Sequence, residues 1–332
     1  MLKYYSWSMV FAAIAVVLGY MIGGLAGAGI VAILSVLEIS LSFDNAVVNA
    51  KILQNWGPVW RERFLLWGML VAVFGMRLVF PLAIVGVVTS TGPLAVLDLA
   101  MNNPDLYAST LKAVHYEIAA FGGAFLLMVF LKFFLDANKD EHWLHWIESP
   151  LTKIGKLDMI ESAITLAVIT TVAYNLEAAK QFGFMIAGTM GLITYILADA
   201  VGSMVGGEED ESAPRIIKEG IGGFLYLELL DASFSFDGVI GAFALSHNIF
   251  IIMLGLGVGA FFVRSMTVHL VSTGTLQQLK YLEHSAFWSI GALAFIMLFS
   301  AISHVPEMVT GLIGVTLIGC GVVHSILENR KV

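Results

Sequence analysis

Cysteine and charge are the two features that this sequence has least of. Cys320 is the one cysteine in 332 residues, which excludes a disulfide framework and a thiolate metal cluster. Charged residues make up 13% of the chain, whereas roughly 25% is usual for soluble domains. The sequence also has no nucleotide-binding glycine loop, so we do not expect ATP to drive it directly. These absences point away from a water-soluble domain.

Apolar residues are what the sequence has instead. They make up 58% of the chain, and the mean hydropathy is +0.87. Apolar runs of about 18 residues or more predict membrane-spanning helices. We therefore predict an all-α polytopic membrane protein. Its ten predicted spans lie near 6–23, 27–50, 64–88, 113–134, 159–177, 182–204, 220–245, 249–271, 285–303 and 307–326.

Loop charges test that count, because cytoplasmic loops collect Lys and Arg. Ten spans place thirteen Lys and Arg residues on one side of the membrane and two on the other. This predicts a multi-pass protein of the inner (plasma) membrane with both termini in the cytoplasm. The longest polar segment, 136–158, falls on the cytoplasmic side. Its stretch 140–147 predicts an amphipathic helix at the membrane surface.

Two short stretches inside predicted spans nearly repeat one another. Residues 37–44 read Leu-Glu-Ile-Ser-Leu-Ser-Phe-Asp, and residues 230–237 read Leu-Asp-Ala-Ser-Phe-Ser-Phe-Asp. Four consecutive spans of the first half align, in the same order, with four of the second half. The aligned partners are five spans apart. Because five is an odd number, the two halves would have opposite orientations in the membrane, which is typical of secondary transporters. We predict two inverted five-helix repeats, 1–180 (with the cytoplasmic segment) and 181–332.

The repeated motifs supply the candidate site. Acidic side chains at membrane depth are costly and usually serve a cation or a proton. An oxygen-only ligand set suits hard divalent cations such as Mn²⁺, Mg²⁺ or Ca²⁺. The predicted metal ligands are Glu38, Asp44, Asn45, Glu228, Asp231 and Asp237. Residues predicted to line the path are Ser40, Asn49, Ser233 and Asp199.

The spacing of the acids poses a geometric problem. Six residues correspond to about 240° around a regular helix, so the two acids of one motif cannot share a face. Either the helix unwinds at the serine pair between them, or the acids face different neighbours. Unwound carbonyls would add oxygen ligands.

Arg77 and Arg264 follow the two motifs within predicted spans. Arginine stays charged at membrane depth, so each needs an acidic partner. Two roles remain open. The arginines pair with motif carboxylates and release them when the metal binds, or they form permanent salt bridges between the repeats.

The motifs resemble those of a known family. Leu37–Asn45 resembles the first signature of the TerC family of integral membrane proteins, in which a Glu precedes an Asp-Asn pair. The second signature is similar to Glu228-x-x-Asp231 followed by Ser233-x-Ser235-Phe236-Asp237, and a membrane arginine also follows the first motif. TerC proteins belong to a wider LysE-like group of amino-acid and metal exporters. They are associated with Mn²⁺ efflux and tellurium-oxyanion resistance. The resemblance implies divalent-cation export through the motif residues.

We therefore predict a secondary transporter that exports a hard divalent cation, Mn²⁺ in preference to Ca²⁺ or Mg²⁺, with proton coupling as an open possibility. The partners expected are the lipid bilayer and the metal ion, with no nucleic acid. The alternative is a metal-binding membrane scaffold that does not transport and that assembles with cytoplasmic stress-resistance proteins. An intramembrane aspartyl hydrolase is disfavoured by the serine-flanked, symmetry-related acids, so no enzymatic activity is expected.

Overall fold

The structure is a computed structural model that describes residues 2–137, 139, 141–204, 219–303 and 305–330. Some side chains in these ranges lie outside the description, namely those of Leu2, Gly202, Ser203, Met204, Phe236, Asp237, Ile240, Glu307 and Met308. The described part is helical, with no β-strand. This confirms the all-α prediction for that part of the chain.

Fifteen α-helices are described. They are α1 (Leu2–Leu41), α2 (Phe43–Leu53), α3 (Pro58–Arg63), α4 (Phe80–Thr89), α5 (Pro93–Asn102), α6 (Pro104–Ala113), α7 (His115–Phe134), α8 (His145–Ile154), α9 (Ile160–Tyr174), α10 (Ala178–Met204), α11 (Ile221–Ala242), α12 (Ile249–Thr273), α13 (Thr275–Gln278), α14 (Leu282–Ser300) and α15 (Glu307–Asn329). Two π-helical segments, Phe64–Gly68 and Val71–Val79, lie between α3 and α4.

Seven helices in the described part are long and apolar enough to cross a membrane. They are Lys3–Leu41, Pro58–Thr89, His115–Phe134, Ala178–Val201, Ile249–Thr273, Leu282–Ser300 and Val309–Asn329. The prediction of a polytopic membrane protein is confirmed in this coarse form. The count of ten spans remains a prediction. Of the other predicted spans, α9 has only 15 residues, and α11 carries the acids of the second motif.

Helix α1 accounts for the first predicted span and much of the second. Its backbone is non-helical at Gly23 and Gly24, and Gly24 has φ +62°, a conformation that glycine adopts without a steric penalty. The helix turns back on itself at this point. This is visible where Gly27 lies against Gly19, so closely that a Cβ atom at Gly27 would overlap the carbonyl oxygen of Gly19. The two halves of α1 therefore pack together as a hairpin.

The two motifs differ in backbone structure. At the first motif, α1 ends at Leu41 and α2 begins at Phe43, with Ser42 between them at φ −101° and ψ 18°. The i→i−4 hydrogen bond from the Ser42 amide to the Glu38 carbonyl persists, so the break is a kink and not an unwound loop. At the second motif, α11 continues without interruption. Of the two arrangements left open by the sequence, unwinding at the serine pair occurs in neither motif, and the first motif has a kink there.

The helical stretch Pro58–Thr89 widens where it passes the first motif. Both π-helical segments lie within it, and the second contains Arg77. A π-helix has a wider turn than an α-helix, and short π segments are common at functional sites. The predicted span 64–88 is therefore helical, with a backbone pattern that apolar periodicity does not reveal.

The two sequence halves are extensively packed against each other. Helix α1 lies along α12, and α7 packs against both α10 and α14. Tyr5 contacts His269 near the end of α12, and Asn329 donates to the Gln278 carbonyl just beyond it. The two ends of the described chain therefore lie at the same end of the helix bundle.

The polar segment 136–158 differs in detail from the prediction. The helix there, α8, begins at His145 and ends at Ile154. The predicted helix over 140–147 is thus displaced toward the C-terminus, and residue 140 is outside the described part. The displacement has a local reason. The backbone amides of Trp143 and Leu144 donate to the Glu148 carboxylate, an arrangement that starts the helix after Leu144.

Candidate functional site

An ion pair between Glu38 and Arg77 lies at the centre of the candidate site. The Arg77 guanidinium donates to Glu38 Oε1, and the two side chains are 4% and 3% exposed. The Ser42 hydroxyl also donates to this oxygen, at 3.2 Å. Glycine allows the approach, because a Cβ at Gly259 of α12 would overlap the Glu38 side chain. A buried charge pair of this kind is stable only when hydrogen bonds support it.

The ion pair borders a cavity of about 50 Å³, which we call the arginine cavity. Its charged and amide lining is contributed by Glu38, Asn45, Asn49, Arg77, Asp231 and Arg264. Both arginines also donate to carbonyls of the π-helical region. Arg77 donates to the Ala72 carbonyl, and Arg264 Nε donates to the Leu65 carbonyl at 2.6 Å. Among the described residues, no carboxylate lies within ion-pair distance of Arg264.

Asp231 brings the second motif to this cavity. Asn49 of α2 donates from Nδ2 to Asp231 Oδ1 at 3.0 Å, and the Asn45 side chain lines the same cavity. Helix α2, which follows the first motif, is thus joined to the second motif by an amide–carboxylate hydrogen bond.

Several buried oxygen atoms around the arginine cavity have no hydrogen-bond partner within the described part of the structure. They are the Oδ1 atoms of Asn45 and Asn49, the hydroxyl of Ser235 and both carboxylate oxygens of Glu228. Glu228 is 6% exposed and lies against Gly68, which lines the cavity. A buried polar atom without a partner is costly. These acceptors could be satisfied by a cation or by water.

A second cavity, of about 30 Å³, lies on the other side of the kink. We call it the Asp44 cavity. Its polar lining includes Asp44, Ser289 and Thr310, and it shares Glu38 and Ser42 with the arginine cavity. The Ser289 hydroxyl of α14 donates to Asp44 Oδ2 at 2.8 Å.

The predicted site residues thus divide into three groups. Those that line the arginine cavity are Glu38, Asn45, Asn49, Asp231, Arg77 and Arg264, with Glu228 beside it. Asp44 lines the adjoining cavity. The hydroxyls of Ser40 and Ser233 bond to carbonyls of their own helices, and neither these residues nor Asp199 line either cavity. The Asp237 side chain lies outside the described residues.

The kink explains why the two acids of the first motif do not face the same partners. Glu38 precedes it and Asp44 follows it, so the two acids face different neighbours, namely Arg77 and Ser289. We expected one shared site for both motifs, but the acids of the first motif border two adjoining cavities. Among the described residues, no group of three or more His, Cys, Asp or Glu side chains is placed to hold a metal ion.

Some functional candidates were missing from the predicted set. Ser42 and Ser235 line the arginine cavity, whereas we selected the neighbouring Ser40 and Ser233. Ser289 and Thr310 come from helices without an acidic motif. Ser289 could have been selected from the sequence, since it is a polar residue within a predominantly apolar helix.

A second buried charge cluster surrounds Glu148, at the start of α8. Its carboxylate is fully buried, accepts from Trp288 Nε1 at 3.0 Å and lies 3.6 Å from Lys139 Nζ. Burial by itself would raise the pKa of Glu148, but the hydrogen bond from Trp288 and the charge of Lys139 outweigh it and lower that pKa. Burial lowers the pKa of Lys139 to about 8, although Glu148 opposes the shift. This cluster anchors the polar segment to α14.

The fold and the site together define a class: a helical membrane protein with a buried charged centre between its two sequence halves. Comparison with known proteins adds a family. Residues 43–332 match the model of the family described as "Protein of unknown function (DUF475)", and the chain belongs to this family. No curated protein and no solved structure matches the chain. The similarity of the motifs to the TerC family therefore remains a prediction.

Proposed function

We propose that this protein is a secondary transporter that carries a hard divalent cation, Mn²⁺ in preference to Ca²⁺ or Mg²⁺, through the arginine cavity. The observation that carries the proposal is the set of buried oxygen atoms without partners around that cavity. Leaving such atoms unsatisfied at membrane depth is costly. A cation that binds there would remove this cost.

The chemistry of the lining favours a hard cation. The acceptors are the carboxylates of Asp231 and Glu228 and the amide oxygens of Asn45 and Asn49. Carboxylate and amide oxygens suit Mn²⁺, Mg²⁺ and Ca²⁺ better than the softer ions that thiolates select. Asp231 and Glu228 are the two acids here that form no ion pair among the described residues, and the Arg264 guanidinium on the same cavity offsets part of their charge.

The first motif would act as the switch. Arg77 neutralises Glu38, so Glu38 is not available as a ligand in this arrangement. If Arg77 released Glu38, this side chain would become a third carboxylate ligand of the cation. The cavity lies between the sequence halves 1–180 and 181–332, where alternating access of two inverted repeats places a substrate site. In this proposal the repeats form ten spans in the inner membrane, both termini are cytoplasmic, and transport is outward.

The test is Mn²⁺ flux in proteoliposomes that contain the full-length protein and a trapped Mn²⁺-sensitive dye. We expect the wild type to move Mn²⁺ along an imposed gradient. Asp231→Asn and Glu228→Gln should lower the flux about tenfold or more, as is common when a group that supports a metal site is lost. Asp98→Asn is the matched control, because Asp98 is exposed on α5, far along the chain from both motifs.

Flux that is unchanged in Asp231→Asn and in Glu228→Gln would refute the proposal. The alternative, a metal-binding scaffold for cytoplasmic stress-resistance proteins, makes a different prediction. It expects Mn²⁺ binding by titration calorimetry that depends on Asp231, with no flux in any variant. Running both measurements on the same preparations separates the two functions.

A further inference from the structure

Asp44 is a buried carboxylate without a counter-ion. It is 4% exposed, and no Lys, Arg or His among the described residues lies within ion-pair distance of it. Its two oxygens accept from the Ser289 hydroxyl and from the Asn45 backbone amide, at 2.8 Å and 2.9 Å. Two neutral donors do not balance a full negative charge. A buried charge normally has an opposite charge close to it.

The space next to Asp44 has a second feature that points to a ligand. The Thr310 hydroxyl of α15 lines the Asp44 cavity, is buried and has no hydrogen-bond partner within the described part of the structure. The cavity volume of about 30 Å³ admits roughly two water-sized occupants. Carboxylate and hydroxyl oxygens thus converge on a space of ionic size.

The net charge of the lining indicates which ion fits. Glu38 also borders the cavity, but Arg77 already neutralises it. Asp44 is therefore the one uncompensated charge among the described residues that line the cavity, and a single positive charge balances it. A divalent ion would leave an excess positive charge in a buried space.

We propose that the Asp44 cavity is a binding site for a small monovalent cation such as Na⁺, held by Asp44 with the hydroxyls of Ser289 and Thr310. The site is separate from the arginine cavity. Carboxylate and hydroxyl oxygens are ligands that suit hard cations. Asp44 lies in the first turn of α2, where the helix dipole favours its ionised form.

Glu38 and Ser42 connect this ion to the proposed transport cycle, and this step rests on the proposed function. Both residues border the two cavities, and Ser42 donates to the Glu38 oxygen that also accepts from Arg77. A cation near Asp44 attracts Glu38 and so competes with Arg77. By linkage, occupancy of each cavity then changes the affinity of the other.

The test is thermal unfolding of the full-length protein in detergent, followed by tryptophan fluorescence. NaCl is titrated against choline chloride at constant ionic strength, and LiCl and KCl report the size preference. We expect Na⁺ to raise the midpoint temperature by at least about 2 °C over choline. Asp44→Asn should abolish the shift, and Thr310→Val should move it to higher Na⁺ concentration. Asp98→Asn should leave it unchanged.

Equal midpoints in NaCl and choline chloride would overturn the inference, as would a full Na⁺ shift in both Asp44→Asn and Thr310→Val. If Asp44→Asn does not fold, Thr310→Val and Ser289→Ala decide the matter. Asp231→Asn separates the two proposals, because it should lose the stabilisation by Mn²⁺ and keep that by Na⁺. A wild type that responds to Na⁺ but neither binds nor transports Mn²⁺ refutes the proposed function alone.

Discussion

The two acidic motifs are nearly the same in sequence and different in structure. In the first, the helix kinks at Ser42, and Glu38 is neutralised by Arg77 from a π-helical segment. In the second, α11 is uninterrupted, and Arg264 lies on the regular helix α12 and donates to a backbone carbonyl. Glu38 of the first motif is paired with a counter-charge, whereas Glu228 and Asp231 of the second motif form no ion pair with any described residue.

This difference assigns the two motifs different parts in the proposed cycle. A carboxylate that is already paired binds a metal only after its partner leaves, so Glu38 is suited to switching. Glu228 has no hydrogen-bond partner among the described residues, and Asp231 accepts from the neutral amide of Asn49, so these two are suited to binding.

The two motifs should differ most in the unfolding free energy that is lost when one acid of each is neutralised. Glu38→Gln removes the charge that balances Arg77, and we expect a loss of about 3 kcal/mol in unfolding free energy, because a buried guanidinium is left uncompensated. Glu228→Gln should cost a small fraction of that, since no ion pair is broken. Reversible unfolding of the full-length protein in mixed detergent–SDS micelles measures both.

The double variant Glu38→Gln/Arg77→Gln is the control for this experiment. It removes both charges, so it should recover part of the loss seen for Glu38→Gln alone. Equal losses for Glu38→Gln and Glu228→Gln would contradict the difference between the motifs.

The glycines that face the two acids provide a smaller contrast. A Cβ at Gly259 meets the inner atoms of the Glu38 side chain, which the ion pair holds in place. Gly259→Ala should therefore destabilise the protein by about 1–3 kcal/mol, as overpacking usually does. A Cβ at Gly68 meets the outer end of the unpaired Glu228 side chain, which can move aside, so Gly68→Ala should cost less.

The same unfolding assay measures this contrast, with Gly319→Ala as its reference. No atom lies within 4 Å of a Cβ built at Gly319, and alanine is the better helix former. Gly319→Ala should be neutral or slightly stabilising. A cost at Gly68 that matches the cost at Gly259 would show that Glu228 is held as firmly as Glu38.

The serines of the two motifs should give the smallest effect. Ser42 donates to Glu38, so Ser42→Ala should cost about 0.5–1.5 kcal/mol, the usual contribution of one hydrogen bond. The corresponding Ser235 hydroxyl has no partner among the described residues, so Ser235→Ala should cost almost nothing. Unfolding free energies of the two variants, measured side by side, make the comparison. A larger loss at Ser235 would mean that its hydroxyl has a bonding partner.

Much of the fold follows from the sequence because long apolar stretches have few structural options. In a membrane, the backbone must satisfy its own hydrogen bonds, so apolar runs become helices. The predicted spans 64–88 and 249–271 correspond to observed helices at Pro58–Thr89 and Ile249–Thr273. The π-helical segments were not predicted, since the periodicity of an apolar run hardly distinguishes a wider turn from a regular one.

The sequence pointed to most of the polar residues that line the arginine cavity, but not to how they are arranged. Intramembrane acids, amides and arginines stand out in the sequence, and Glu38, Asn45, Asn49, Asp231, Arg77 and Arg264 line one cavity. The serines were harder, because the motif places several at similar spacing. Ser42 bonds to Glu38 inside the protein, whereas Ser40 is exposed and bonds to a carbonyl of its own helix. Which of the two serines lines the cavity depends on the direction in which the kinked helix faces.

The sequence by itself determined that this chain is helical and apolar enough for a membrane, and which charged residues lie within its apolar helices. Only the tertiary structure decided which acid Arg77 neutralises and that Asp44 lies in a different cavity from Asp231. The physical reason is the distance along the chain between the residues that interact. Helix formation depends on neighbours along the chain, whereas the pairing of a buried charge depends on helices that are distant in sequence. Two nearly identical motifs can therefore end with different partners.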